Sequence, residues 1–172
     1  MKGIYLLLGS NLGDRLATLR QASQMIGDQI GVVVRQSSIY LSEAWGLRDQ
    51  PDFLNQVLEI DSNLEPLAVL DKIITIEKQL GRRRIIKWGE RAIDIDILYY
   101  GDHIIKSRRL TIPDQYISSR RFTLLPLCEI EPSLVHPVLK KDQCTLLSKC
   151  DDELMVVKLT EEEISAIGNQ EG

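Results

Sequence analysis

The spacing of apolar residues changes repeatedly along this 172-residue chain, and each change marks an element. Lys2 to Leu8 is a short apolar run suited to a buried strand. Gly9-Ser-Asn-Leu-Gly-Asp14 then forms a turn whose Asn11 or Asp14 suits a helix cap. Leu16, Leu19, Ala22, Met25 and Ile26 recur at helical spacing, and Val32 to Leu41 is a β-branched strand. Ser42 to Pro51 is a long loop, and Phe53 to Asp61 is the next strand. Pro66 opens a second helix with Leu67, Leu70, Ile73, Ile74 and Leu80 on its apolar stripe, and Gly81 ends it. A strand over Arg91 to Gly101 follows. The order β-α-β-β-α-β predicts an α+β fold, ferredoxin-like, with a four-stranded antiparallel sheet and both helices on one face. After Gly101 the pattern predicts a hairpin through Ile104-Ile105 and Leu110-Thr-Ile112, a short helix over Arg120 to Leu127, and an acidic C-terminal tail.

The last core strand carries a peculiarity. In Arg91-Ala-Ile-Asp-Ile-Asp-Ile-Leu-Tyr-Tyr-Gly101, period-two alternation puts Ile93, Ile95 and Ile97 on one face. Asp94 and Asp96 share the other with Ala92, Leu98 and Tyr100. Two carboxylates at i and i+2 have Cα atoms roughly 6.5 Å apart, close enough for their oxygens to meet on a common cation. That cation is either arginine, in a network that holds sheet to loops, or Mg²⁺ shared with a polyphosphate. Glu77 falls on the apolar stripe of the second helix, where a carboxylate needs a partner unless it sits at the stripe's exposed edge.

Composition narrows the picture. With 44% hydrophobic residues the chain suits one globular domain, with a core over about 1–137 and an appendage over about 138–172. No run approaches the roughly 18 apolar residues of a membrane span, so a cytoplasmic protein without a membrane partner is expected, and a monomer. Cys128, Cys144 and Cys150 are odd in number and lack a Cys-x-x-Cys pair, as reduced thiols would be. The net charge of −4 conceals a positive segment: residues 82–121 hold ten Lys/Arg against five Asp/Glu. Most are arginines, whose planar fork suits phosphate oxygens. Each one alone fits a solvated surface, but a cluster flanking an aspartate pair points to a compact polyanion.

Other signals are weaker alone. Gly9-Ser-Asn-Leu-Gly-Asp-Arg15 lacks the Gly-x-x-x-x-Gly-Lys-Ser/Thr pattern of a phosphate loop and reads as a turn with a cap. In Asp49-Gln-Pro-Asp-Phe-Leu-Asn55, Phe53 and Asn55 share a strand face, offering a ring and an amide to a flat heterocycle, although strand aromatics are usually core. Trp45 and Phe122 add to that reading.

Together these residues carry a resemblance. Gly9-Ser-Asn-Leu-Gly, Asp49-Gln-Pro-Asp-Phe-Leu-Asn55, Glu77 with Gly81-Arg82 and Arg84, Trp88-Gly-Glu-Arg-Ala-Ile-Asp-Ile-Asp-Ile97 and Arg120-Arg-Phe-Thr-Leu-Leu-Pro-Leu-Cys-Glu-Ile130 resemble the 6-hydroxymethyl-7,8-dihydropterin pyrophosphokinases of folate biosynthesis, to about residue 137. The resemblance implies transfer of pyrophosphate from ATP to the pterin hydroxymethyl group with release of AMP. By the same resemblance Asp94 and Asp96 hold two Mg²⁺ ions, and Arg82 and Arg91 join them in catalysis. Glu77, Arg82, Arg84, Trp88, Arg91, Ile97, Arg109, Thr111 and Arg120 belong to the ATP side. Ser42, Glu43, Trp45, Phe53, Asn55 and Phe122 belong to the pterin side, with Phe53 and Phe122 sandwiching the ring. Residues 83–87 are the expected lid.

The chain departs from the family pattern at three places. Pro113-Asp114-Gln115 stands where a histidine usually follows the proline, Ser42-Glu-Ala replaces the Thr-Pro-Pro of some members and should loosen that loop, and Ile74 replaces a glutamine. Two rivals remain to be weighed. A Mg-dependent nucleotidyltransferase keeps Gly-Ser on a helix shortly before its aspartates, whereas Gly9-Ser10 lies far upstream of Asp94. A ferredoxin-like ligand- or RNA-binding module would set the aspartates against a phosphate backbone and lacks paired stacking aromatics, so no nucleic-acid partner is expected.

Overall fold

The computed structural model describes residues 3–82 and 88–171. In chain order the elements are β1 (Ile4–Ser10), α1 (Arg15–Gln29), β2 (Val32–Gln36), β3 (Tyr40–Ser42), β4 (Phe53–Asp61), α2 (Pro66–Gln79) and β5 (Asp94–Tyr100). There follow β6 (Ile105–Lys106), β7 (Thr111–Ile112), a 3-10 turn (Ile117–Ser119), α3 (Arg121–Ile130), α4 (Gln143–Lys149), β8 (Val156–Lys158) and α5 (Glu161–Glu171). Local chemistry sets the boundaries. Asp14 caps α1 by accepting from the Ala17 N–H at 3.0 Å, which satisfies a helix donor that has no intrahelical partner. Pro66 occupies the first turn of α2, and Gly81 behind it has φ +87°, a left-handed conformation that glycine adopts at no steric cost.

The sheet runs β5-β1-β4-β3-β8, with β2 also on β4, and every pairing is antiparallel. The expected single strand over Val32 to Leu41 is two. A register shift falls between Val33 and Arg35, and Ser37 then turns its hydroxyl onto the Val57 N–H at 2.9 Å, so a side chain takes over a ladder bond and the strand breaks.

Both faces of the sheet are covered. Leu6, Leu8, Leu58 and Ile60 pack with Leu19, Ile26, Val69, Ile73 and Ile76 of α1 and α2. On the opposite face Tyr5, Leu7, Val57, Leu98 and Tyr99 pack with Ile117, Leu124, Leu127 and Leu146 of the 3-10 turn, α3 and α4. The expectation of helices on one face therefore describes α1 and α2 only. An apolar second face needs burial, and the later helices supply it. Residues 138–172, expected as an appendage, enter the fold too: α4 buries Leu146, β8 extends the sheet beyond β3, and α5 lies on α1 with Ile164 and Ile167 against the core. Among the described residues no helix is long and apolar enough to cross a membrane.

One bulge corrects the alternation expected in β5. Opposite β1 the register runs Leu7↔Asp96 and Leu6↔Ile97 but then Tyr5↔Tyr99, so Leu98 is the extra residue. Beyond it the faces exchange. Tyr100 joins Ile95 and Ile97 on the α1/α2 side rather than the aspartates, while Leu98 and Tyr99 fill the second face. Apolar packing thus closes directly behind Asp96.

Candidate active site

A cleft opens on the second face at the end of the sheet where β5 begins. Its floor follows from strand register. Asp94 pairs with Gly9 and Gly9 with Asn55, while Asp96 pairs with Leu7. The glycine leaves the space between Asp94 and Asn55 open: a Cβ there would meet Asn55 Oδ1 at 3.4 Å and the Phe53 ring at 3.6 Å. Gly9 and Leu7 had been legible only as turn and strand residues, because their part in the cleft comes from pairing with distant strands.

The walls carry most of the expected residues. Ser42, Glu43, Trp45, Phe53, Asn55 and Phe122, the whole expected pterin set, line the cleft. Trp88, Arg91, Asp94, Asp96 and Arg120 line it with them. Buried Asn55 donates to Ser42 Oγ at 2.8 Å and to the Tyr40 carbonyl at 3.3 Å, which orients its amide. The loop expected to be loose for want of prolines is tethered instead, since Glu43 exchanges two hydrogen bonds with Met155.

Electrostatics separate the two aspartates. Asp94 is paired: Arg82 Nη1 donates to its Oδ1 at 2.7 Å, and Arg91 Nη1 reaches Oδ2 at 3.4 Å. Arg82 also pairs with Glu77, whose Oε2 accepts the Ile95 N–H at 2.9 Å. Glu77 is therefore no edge residue but a buried brace between α2, Arg82 and β5, its pKa raised by burial against the pull of Arg82. Asp96 accepts no hydrogen bond among the described residues. Burial first, and the charges of Asp94 and Asp114 next, push its pKa well above the ordinary carboxylate value. The adjacent half-buried carboxylates want a cation that protein groups do not fully supply. A hard divalent ion taking one or two carboxylates fits that need.

The arginines show the complementary deficit. Among the described residues, Nε of Arg91 and Nε of Arg120 are buried without a hydrogen-bond partner. Each guanidinium rests on rings instead: Arg91 lies 5.1 Å from the Phe53 centroid, and Arg120 lies 4.3 Å from Trp45, 4.4 Å from Tyr116, 5.1 Å from Trp88 and 5.5 Å from Phe122. Trp45, Trp88 and Tyr116 also meet one another at 5.2–5.5 Å, closing a box around Arg120. Such cations, each with an Nε–H that lacks an acceptor, are arranged to receive an anion. Tyr116 was not singled out beforehand; only its place four residues before Arg120 hinted at it.

Three residues expected near the nucleoside lie elsewhere. Ile97 is in the α1/α2 core, and Arg109 pairs with Asp71 at 2.5 Å on the surface. Thr111 is exposed in the β6–β7 hairpin and lines a separate hollow with Asp114 and His136. The hairpin projects beyond β5, so proximity to Asp96 in sequence does not bring these side chains into the cleft. Arg84 and the expected lid over 83–87 fall outside the described residues. Asp114, standing where a histidine was expected, donates its N–H to the Leu98 carbonyl at 3.0 Å and accepts from the Tyr116 N–H at 2.8 Å. Its carboxylate thereby shapes the turn that presents Tyr116 to the box.

Residues 5–132 match the family model of 7,8-dihydro-6-hydroxymethylpterin-pyrophosphokinase. The chain belongs to this family. Two pyrophosphokinases, both named 2-amino-4-hydroxy-6-hydroxymethyldihydropteridine pyrophosphokinase, illustrate the relationship. That of Aquifex aeolicus (strain VF5) is 41% identical over 141 residues, covering 82% of this chain and 88% of its own. That of Haemophilus influenzae (strain ATCC 51907 / DSM 11121 / KW20 / Rd) is 43% identical over 134 residues, covering 77% and 84%. In fold, the chain is similar to the crystal structure of Plasmodium falciparum HPPK-DHPS wild type, with a TM-score of 0.71 at 16% identity. That match covers 86% of this chain and 44% of the other, so the pyrophosphokinase fold here corresponds to under half of that larger protein.

Proposed function

We propose that this protein transfers pyrophosphate from ATP to the hydroxymethyl group of 6-hydroxymethyl-7,8-dihydropterin, releasing AMP, in folate biosynthesis. The observation that carries this reading is the cleft itself, where an aspartate pair, two acceptor-poor arginines and an aromatic–amide slot meet in one cavity of a pyrophosphokinase-family chain. The strand order β5-β1-β4-β3 with α1 and α2 on one face supports a ferredoxin-like unit built within a single domain.

In this reading the pterin enters between Phe53 and Phe122, displacing Arg91 and Arg120 from the rings, and Asn55 meets its polar edge. Asp94 and Asp96 would hold two Mg²⁺ ions. When bound, the ions neutralise the triphosphate and stabilise charge shifting onto its oxygens. Arg91 and Arg120 offer their free Nε–H donors to phosphate oxygens, Trp88 packs beside them, and Arg82 keeps Asp94 in place while Glu77 holds Arg82. The hydroxymethyl oxygen bonds to the β-phosphorus and gives up its proton to solvent, the bond from that phosphorus to the α,β-bridging oxygen breaks, and AMP departs. A dedicated base is not required where positioning and charge stabilisation dominate. Arg84, Ile97, Arg109 and Thr111 belong to the ATP side in the family resemblance. Of these, the exposed Arg109 and Thr111 reach the nucleotide only if ATP extends from the cleft along the hairpin.

The test incubates the protein with ATP, Mg²⁺ and the pterin. AMP is expected in step with pterin pyrophosphate; released pyrophosphate instead of AMP would favour nucleotidyl transfer, and no turnover would remove the assignment. A narrower expectation concerns Asn55. Loss of its buried amide in Asn55→Ala is expected to raise KM for the pterin about 10- to 100-fold, the cost of an unmet polar edge. KM for ATP should stay within about twofold, and equal losses for both substrates would point to a structural role.

A further inference from the structure

The C-terminal part of the chain lies beyond the family-matched span of 5–132 and contributes no side chain to the cleft, yet it touches both walls. On one side, β8 pairs with β3 down to Ser42↔Val156. The ladder then continues past the strand ends. The Glu43 N–H donates to the Met155 carbonyl at 3.1 Å, and the Met155 N–H donates to Glu43 Oε1 at 2.7 Å. This fixes the start of the loop that carries Trp45. On the other side, Asp152 Oδ2 accepts the N–H of Arg121, the first residue of α3, at 3.0 Å. No side chain at the helix's own N-cap position, Arg120, does this, so an acceptor from elsewhere in the chain satisfies a first-turn donor and opposes the positive end of the helix dipole. Asp152 Oδ1 meanwhile accepts the Leu154 N–H at 3.1 Å, closing a turn, and Leu154 is buried at 4% exposure.

We infer that residues 152–156 are a strap that sets the width of the aromatic slot, with Asp152 as a positioning residue for the heterocyclic substrate. The inference rests on the pyrophosphokinase reading of the cleft. Its chemistry is simple. The Ser42–Trp45 wall, whose Ser42 pairs with Phe53, and the Arg120–Phe122 wall come from segments some eighty residues apart and both line the cleft. A span of five residues, anchored by Leu154 between two hydrogen-bonded ends, is short enough that moving one wall pulls the other. A slot for stacking is more sensitive to its width than a phosphate site built of long arginines, so the strap acts on the pterin and spares the nucleotide.

The experiment uses the full chain with Asp152→Ala and Asp152→Asn. Affinity for 6-hydroxymethyl-7,8-dihydropterin is measured with Mg²⁺ and a non-hydrolysable ATP analogue present, and affinity for the analogue is measured alone. Asp152→Ala is expected to weaken pterin binding about 3- to 30-fold, the range a lost helix cap spans, with analogue affinity within about twofold. Asparagine, an equally good cap, should recover most of the loss. Adding Glu43→Ala should cost less than the sum of the two single changes, because both cut the same strap. Hydrogen exchange on the wild type gives a reading that needs no variant: pterin binding should slow the Arg121 and Met155 amides together. Wild-type pterin affinity in folded Asp152→Ala, equal loss of both ligands, or exchange at the two amides that ignores the pterin would each overturn the strap. Failure of the wild type to bind the pterin at all would instead overturn the functional reading.

Discussion

Asp96→Asn is expected to abolish turnover while raising the melting temperature of the free protein. The two effects share one cause. Asp96 is half-buried beside Asp94, and desolvation and like charge both raise its pKa well above 3.8. At neutral pH the ionised form costs folding free energy, and that cost is absent in a neutral amide of the same shape. Relief of roughly 1 kcal/mol would raise the melting temperature about 2–4 °C for a chain of this size. The sign with pH is fixed. Because the folded pKa is raised, the wild type suffers no penalty below pH 3.8, where the carboxyl is protonated in both states, and loses stability as pH climbs through the folded value. The advantage of asparagine should therefore vanish in acid and grow towards neutrality. Catalysis goes the other way. An amide cannot replace a carboxylate as ligand to a hard cation, and forfeiting several kcal/mol of charge stabilisation corresponds to about 10³ in rate. AMP formation and thermal melts across pH measure both. Wild-type turnover would sink the metal assignment, and a lowered melting temperature at pH 7 would sink the electrostatic account.

Arg120→Ala should lower kcat/KM for ATP by about 10³, comparable to loss of a phosphate-facing arginine finger. Arg120 is 6% exposed, its guanidinium stacked among four rings and, among the described residues, without an acceptor at Nε, so it meets a phosphate oxygen in an already dry setting. Lysine should not rescue it, since an ammonium can neither lie flat against Trp45 and Tyr116 nor present the same planar fork. A second readout is built in. The chain has two tryptophans, Trp45 and Trp88, and both touch Arg120. ATP-analogue binding should shift wild-type tryptophan emission as a phosphate engages the cation beside both rings, and the alanine variant should show no such shift. A variant that retains both activity and the emission change would refute the role.

How far the sequence reaches can be judged residue by residue. Glu77 was flagged because a carboxylate interrupts an apolar stripe, and it proves to be buried against Arg82 and Ile95. Tyr116 carried no comparable signal, since an aromatic next to a short turn is unremarkable until three rings surround one arginine. Arg109, placed on the ATP side by the family resemblance, pairs with Asp71 on the surface, a partner that the sequence does not signal. Asp152 was silent altogether; its acceptor role depends on a helix that starts thirty residues earlier.

The sequence by itself determined the properties that propagate along the chain: the 3.6-residue stripes of α1 and α2, the caps and breakers at their ends, and a strand with two carboxylates on one face. Local periodicity is sufficient for these because each depends only on backbone geometry within a few residues. Tertiary structure decided everything that depends on distant register. It placed Gly9 between Asp94 and Asn55, moved Tyr100 off the aspartate face through one extra residue at Leu98, and brought the C-terminal strap across both walls of the cleft. Strand pairing and helix docking bring together residues with no fixed separation along the chain, and no periodicity in the sequence encodes which of them will meet.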